Sequence, residues 1–206
     1  RLCLRQDNRG IYEVFQAVVH KCPKMFPANL DTLEEEEQRQ GLLSTRGEVD
    51  IYGFKDSIVY DTLASLAAIA QIQGENGEMG VHRYIISNCR GAVDMARIMA
   101  LFRLCGWREA PLSVDVVPLF ETIDDLRMAD SSMRCIYDNT LYKEHLSRRS
   151  SRQTIMLGFS DGTKDGGYLM ANWAIYTAKE NITAVSRKYG VEVVFFDGRG
   201  GPPARG

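Results

Sequence analysis

Residues 153–196 read QTIMLGFSDGTKDGGYLMANWAIYTAKENITAVSRKYGVEVVFF. Gln153 to Phe159 is a short, near-continuous apolar run, and Val191 to Phe196 is another. Gly166 to Tyr189, between them, is long enough for a helix, and Gly190 ends it. Two apolar strands joined through a helix are the unit of a parallel sheet. A parallel pair needs such a crossover, and strands buried on both faces lose their polar alternation.

The same rhythm extends upstream. Arg83 to Ser87 and Val114 to Phe120 read as strands, the latter with Pro118 near its end. Ala92 to Cys105 reads as a helix with Gly106 just past it. Thr122 or Asp124 can cap a short helix, and Ser131 to Leu146 is mostly helical, trailed by Arg148 and Arg149. Nearer the start, Leu2 to Leu4 is a strand that spills into the polar loop Arg5 to Arg9, and Ile11 to Val19 has helical spacing. Ile58, Leu63, Leu66, Ile69 and Ile72 mark a helix over 57–73, which Gly74 and Gly77 stop. Residues 23–56 are expected to form an insertion of loops around a short acidic helix on Glu34–Glu37, its charges solvated.

Two architectures share this rhythm. A doubly wound sheet carries a glycine-rich loop after its first strand, whereas here no glycine precedes Gly10. A (β/α)₈ barrel takes roughly 250 residues. With five strands visible in 206 residues, the expectation is an α/β fold: a partial (β/α)₈ barrel with mainly parallel strands and extra helices, incomplete at both ends.

A hydrophobic share of 45% with 25% charged residues excludes a mainly disordered chain, and a net charge of -2 excludes a global basic field for nucleic acid or membrane. Any anion site must therefore be built locally. No apolar stretch is long enough to span a bilayer, and no signal peptide is expected before the first strand. Cys3, Cys22, Cys89, Cys105 and Cys135 are scattered, without a CxxC pair or a histidine at zinc-ligand spacing. That pattern suits reduced, mostly buried thiols in a cytoplasmic protein. Cys89 follows a strand but has no histidine to activate it. His20, His82, His145, Trp107 and Trp173 read as packing or surface residues.

In parallel α/β folds the chemistry gathers at the carboxyl ends of the strands. After the first strand come Arg5 and Gln6, and after the second Asn88 and Arg90. Glu121, Asp124 and Asp125 follow the third, Ser160, Asp161, Lys164 and Asp165 the fourth, and Asp197, Arg199 and Arg205 the fifth. Glu121 and Asp161 are the first acidic residues past consecutive strands. If those strands are neighbours, two hard oxygen ligands converge, as Mg²⁺ or Mn²⁺ sites require. Helix capping is the competing use of each carboxylate. Arg5, Arg199 and Arg205 would add planar donor forks for phosphate or carboxylate, with the glycines of 198–206 allowing close backbone approach. An anion at the start of the long helix could also be reached by Lys164.

As a set, Leu4-Arg5-Gln6-Asp7, Tyr84-Ile85-Ile86-Ser87, Val117-Pro118-Leu119-Phe120-Glu121-Thr122-Ile123-Asp124-Asp125-Leu126, Met156 to Gly167, and Phe196-Asp197-Gly198-Arg199-Gly200-Gly201 resemble the phosphoenolpyruvate carboxylases. The segments stand in the family's order across nearly the whole chain. The resemblance implies that Glu121 and Asp161 are ligands of Mg²⁺ (or Mn²⁺). It implies that Arg5 and Arg199 hold phosphoenolpyruvate, that Arg205 serves the carboxylation step, and that Lys164 stands near the site. Arg199, Arg205 and Lys164 form the implied catalytic set. Bicarbonate and phosphoenolpyruvate are the implied substrates, oxaloacetate and phosphate the products.

The chain departs from the family at Asp197, where histidine is common, and at Pro202-Pro203-Ala204, where relatives often have Ser-x-Gly. The resemblance further implies a longer cytoplasmic parent, homo-oligomeric, with no nucleic acid or membrane partner, and an isolated segment with little turnover. Two other functions suit the same residues: a non-catalytic metal- and anion-binding module, and a different Mg²⁺-dependent barrel enzyme acting on a phosphorylated enol.

Overall fold

Five parallel strands lie side by side in the order in which the chain makes them. The computed structural model describes residues 2–107 and 110–198, apart from the side chains of residues 2–4. Strands β1 (Leu2–Asp7), β2 (Val81–Ser87), β3 (Asp115–Phe120), β4 (Arg152–Gly158) and β5 (Glu192–Gly198) form one sheet of order β1-β2-β3-β4-β5. Every adjacent pair is parallel. Helices α1 (Asn8–Lys21), α2 (Glu35–Leu43) and α3 (Ser57–Asn76) lie between β1 and β2. Helix α4 (Ala92–Phe102) runs into a π-helical turn and joins β2 to β3. Helices α5 (Ile123–Asp138) and α6 (Thr140–Arg148) join β3 to β4, and α7 (Ser160–Lys188) joins β4 to β5.

The two faces of the sheet carry different residues because side chains alternate along a strand. Tyr84, Ile86, Val116, Phe120, Ile155 and Leu157 enter the large core shared with the helices. Ile85, Val117 and Leu119 form a small separate cluster with Met156. Pro118 pairs with Ile86 and has no N–H to give. Beside it, the buried Gln153 donates to the Val116 carbonyl at 2.9 Å and accepts from the Tyr142 hydroxyl at 2.6 Å. Helix α2 buries Leu42 and Leu43, whereas Glu34 to Glu37 stand in solvent. The amino ends of the strands are latched by Arg149, whose Nε donates to Asp115 at 2.7 Å and whose Nη1 reaches Glu78.

Several boundaries differ from the sequence reading. Arg5, Gln6 and Asp7 belong to β1, paired with Ile85, Ile86 and Ser87, because a neighbouring strand satisfies their backbone whatever their polarity. Helix α5 runs through residue 131, and the break comes at Asn139, whose side chain accepts from Leu141 and Tyr142 N–H as an N-cap. Gly74 lies inside α3, and Gly77 (φ 76°) follows its end. Helix α7 begins at Ser160 and is interrupted at Gly167 (φ 77°, ψ 165°). Trp107 is buried, but Trp173 is 64% exposed and stacks on Tyr176. Its face of α7 points away from the sheet.

Candidate functional site

Strands β3 and β4 pair through Phe120 and Leu157, so Glu121 and Gly158 stand abreast at their carboxyl ends. Glu121 is 8% exposed and held from two sides. Its Oε2 accepts the Asn88 backbone N–H at 2.8 Å, and its Oε1 accepts Arg5 Nη2 at 3.2 Å. Asn88 sits in the left-handed region (φ 54°), which ends β2 and turns its amide toward β3. Asparagine tolerates that conformation better than most residues. Arg5 Nε donates to the Ser87 hydroxyl, so the guanidinium bridges the ends of β1, β2 and β3. Burial pushes the Glu121 carboxyl above its ordinary range. The Asn88 N–H and Arg5 oppose that shift, while the charges of Asp161 and Asp7 add to it.

Asp161 lies in the first turn of α7, directly past β4. Its Oδ1 accepts Lys164 Nζ at 2.8 Å, an i,i+3 pair largely in solvent. Lys164 therefore turns toward Asp161. The sequence condition for convergence is met, since the strands leading to Glu121 and Asp161 are hydrogen-bonded neighbours. Among the described residues no group of three or more His, Cys, Asp or Glu could hold a metal. Two carboxylates still match the way Mg²⁺ is held, by one or two acidic residues with waters and substrate phosphate oxygens completing the shell. The field of Asp161 is felt at Glu121, and a divalent cation between them would relieve that repulsion. Carboxylate oxygens are the donor type that Mg²⁺ and Mn²⁺ take.

Other strand-end residues have separate uses. Gln6 points to the helical side of the sheet, donating to Thr62 at 3.0 Å and accepting from the Tyr84 hydroxyl at 2.7 Å. Asp125 and Thr122 form a reciprocal capping box on α5, and Asp124 pairs with Arg127. Asp197 lies inside β5, one residue before its end, and pairs with Lys179 of α7 at 2.7 Å. A carboxylate at this position thus has its own cation. Arg199 and Arg205 lie outside the described residues. Cys89 is fully buried and burial holds its thiol protonated. His82 lies within β2, away from the strand ends that carry the carboxylates, and His145 is buried in α6 beside Tyr142. Cys22, Cys89, Cys105 and Cys135 are free thiols. No helix among the described residues is long and apolar enough to cross a membrane.

Sequence reasoning missed Ser87 as part of this arrangement, and it placed Asn88 at a strand end without giving it a role. A serine closing an apolar strand was the one available signal for the first. The second acts through its backbone amide, which residue type does not reveal.

The model of the phosphoenolpyruvate carboxylase family matches residues 1–206. The chain is 40% identical to the phosphoenolpyruvate carboxylase of Corynebacterium diphtheriae over 155 residues, 74% of this chain and 17% of that protein. It is 40% identical to that of Mycobacterium leprae over 149 residues, covering 70% of this chain and 16% of the relative. With that of Xanthomonas oryzae pv. oryzae, identity is 37% over 145 residues, 69% and 16% of the two chains. The chain thus spans about a sixth of the length of these relatives.

Proposed function

Since the chain belongs to the phosphoenolpyruvate carboxylase family, we propose that it forms part of a site that joins bicarbonate to phosphoenolpyruvate. The observation that carries this reading is the meeting of Glu121, Arg5 and the Asp161 turn at adjacent parallel strand ends. The surrounding architecture is proposed to be a (β/α)₈ barrel. Sequential order of parallel strands supports this, because crossovers of the usual right hand would then put the helices on one face of the sheet. The cluster of Ile85, Val117, Leu119 and Met156 on the other face would then line the barrel interior.

In the proposed reaction a bicarbonate oxygen attacks phosphorus and the bond from phosphorus to the enol oxygen breaks. Carboxyphosphate and the enolate of pyruvate result. Carboxyphosphate releases CO₂ and phosphate, and the enolate carbon bonds to the CO₂ to give oxaloacetate. Glu121 and Asp161 would hold Mg²⁺ or Mn²⁺, which supplies Lewis-acid neutralisation of phosphate and enolate charge. Arg5, its fork fixed by Ser87 and Glu121, would orient the anionic substrate without reorganising. Arg199 is assigned to phosphoenolpyruvate, Arg205 to the carboxylation step, and Lys164 to a place beside Asp161. Water must be kept from the enolate, which would otherwise take a proton. A cytoplasmic, homo-oligomeric parent is part of the same proposal.

A coupled oxaloacetate assay on the full-length protein, with and without bicarbonate, tests this. Activity should require bicarbonate and fall roughly 100-fold or more in Asp161→Asn, the scale of a lost Lewis-acid contribution. One observation favours a second reading, a non-catalytic anion-binding module: Glu121 and Asp161 already have cationic partners in Arg5 and Lys164. Phosphoenolpyruvate bound but never consumed by the wild type would select it. Turnover without bicarbonate would select another enol-phosphate enzyme. Full activity in the mutant would leave the reaction standing and remove the metal role of Asp161.

A further inference from the structure

The turns that carry Glu121 and Asp161 are joined by one hydrogen bond between backbone and side chain. Asp165 Oδ2 accepts the N–H of Ile123 at 3.2 Å, across 42 residues of chain. Ile123 is the first residue of α5, two past Glu121, and Asp165 is four past Asp161. The first N–H groups of a helix have no partner within it. On α5, Thr122 takes the N–H of Asp125, and Asp125 takes that of Thr122. The Ile123 N–H is satisfied from the neighbouring turn instead. A carboxylate there also suits the positive end of the helix.

The contact is backed by close packing. A Cβ placed at Gly158 would come within 3.1 Å of Glu121 Cγ, and one at Gly166 within 3.1 Å of Ile123 Cγ1. The turn of 160–166 is therefore seated against 121–123 on both sides of Asp161. Gly167 then breaks the helix, so that short turn is fixed by the seat and by Asp165 more than by the long remainder of α7.

We infer that Asp165 is a positioning residue, which sets the separation of the Glu121 and Asp161 carboxylates by tying their two turns together. The inference rests on the metal reading above. It assigns Asp165 no contact with substrate or metal.

Manganese binding to the full-length protein, read by electron paramagnetic resonance without substrate, tests it. Asp165→Ala should weaken Mn²⁺ affinity roughly 10- to 100-fold, the usual effect of removing a group that orients metal ligands. Asp165→Asn keeps a carbonyl oxygen for the Ile123 N–H and should stay within about threefold of wild type. Ile123→Pro removes the donor instead, at a helix position where proline is favoured, together with the side chain seated against Gly166. It should lose at least as much as Asp165→Ala, and the double variant should lose no more than Ile123→Pro alone. If Asp165→Ala does not fold, Ile123→Pro against Asp165→Asn carries the same comparison.

Equal losses in Asp165→Ala and Asp165→Asn would mean that charge acts through space and would overturn the positioning role. So would Mn²⁺ affinity that is lost in Glu121→Gln and Asp161→Asn but retained in Asp165→Ala. Affinity unchanged in Glu121→Gln and Asp161→Asn would instead sink the metal reading, and the positioning role with it.

Discussion

Glu121 is a carboxylate whose surroundings leave it little freedom. One oxygen is fixed by an amide of the β2 turn and the other by Arg5, while Gly158 leaves no room beside it. An added methyl group at Gly158 would lie 3.2 Å from the Glu121 Cα as well as 3.1 Å from Cγ. The backbone of one strand end must then shift. Gly158→Ala is expected to destabilise the chain by about 1–3 kcal/mol, the usual cost of overpacking, visible as a lower urea midpoint. It should weaken Mn²⁺ binding in the full-length protein as well. Unchanged affinity with a lowered midpoint would show that the seat serves stability alone. At this scale the sequence exposed the two carboxylates, because an acidic residue directly past an apolar strand is conspicuous. It hid their supports. The Asn88 amide, the tie from Asp165 to Ile123 and the match of Lys179 to Asp197 join residues 18 to 42 apart in the chain, and nothing in their local patterns pairs them.

Elements away from the site carry stability with their own pH dependence. His145 in α6 is buried, and burial, then the charges of Arg149, Arg103 and Arg148, push its pKa down from 6.5 to about 3. The folded chain keeps the imidazole neutral, whereas the unfolded chain protonates it below about 6.5. The unfolded state thus binds more protons between these values. Stability from this group is full above pH 6.5 and falls as pH drops toward 3, by at most about 1.4 kcal/mol per pH unit. Urea unfolding between pH 7 and 4.5 should show that slope, and His145→Gln should flatten it. An equal slope in the variant would mean that other groups govern the acid limb. The sequence located these elements well where apolar periodicity was strong, as in β2, β4 and α3. It misplaced boundaries where capping decided them. Asn139 looks like any polar helix residue until its side chain is seen to cap α6.

Across the whole molecule the helices cover one face of the sheet, while part of α7 remains bare. Tyr168, Leu169, Trp173 and Tyr176 are 65%, 84%, 64% and 55% exposed, and Phe196 on β5 is 46% exposed. Among the described residues β5 has β4 as its sole strand neighbour. Exposed apolar surface beside an open strand edge drives association. The isolated chain is expected to self-associate in sedimentation experiments, and Leu169→Lys with Trp173→Glu should shift it toward monomer. A wild type that sediments as a monomer at every concentration would show that this face is tolerated by water. The α/β class, the parallel pairing and the acidic pair at Glu121 and Asp161 followed from the sequence alone. Each depends on short-range patterning: apolar runs, helix-length spacers, and residue type at a strand end. The family resemblance came from ordered motifs of the same local kind. Strand order, the division of Arg5 and Gln6 to opposite faces, the cationic partners of each carboxylate and the exposed side of α7 were decided only by the tertiary structure. These are contacts between distant segments, and their energies depend on where the sheet brings the chain together.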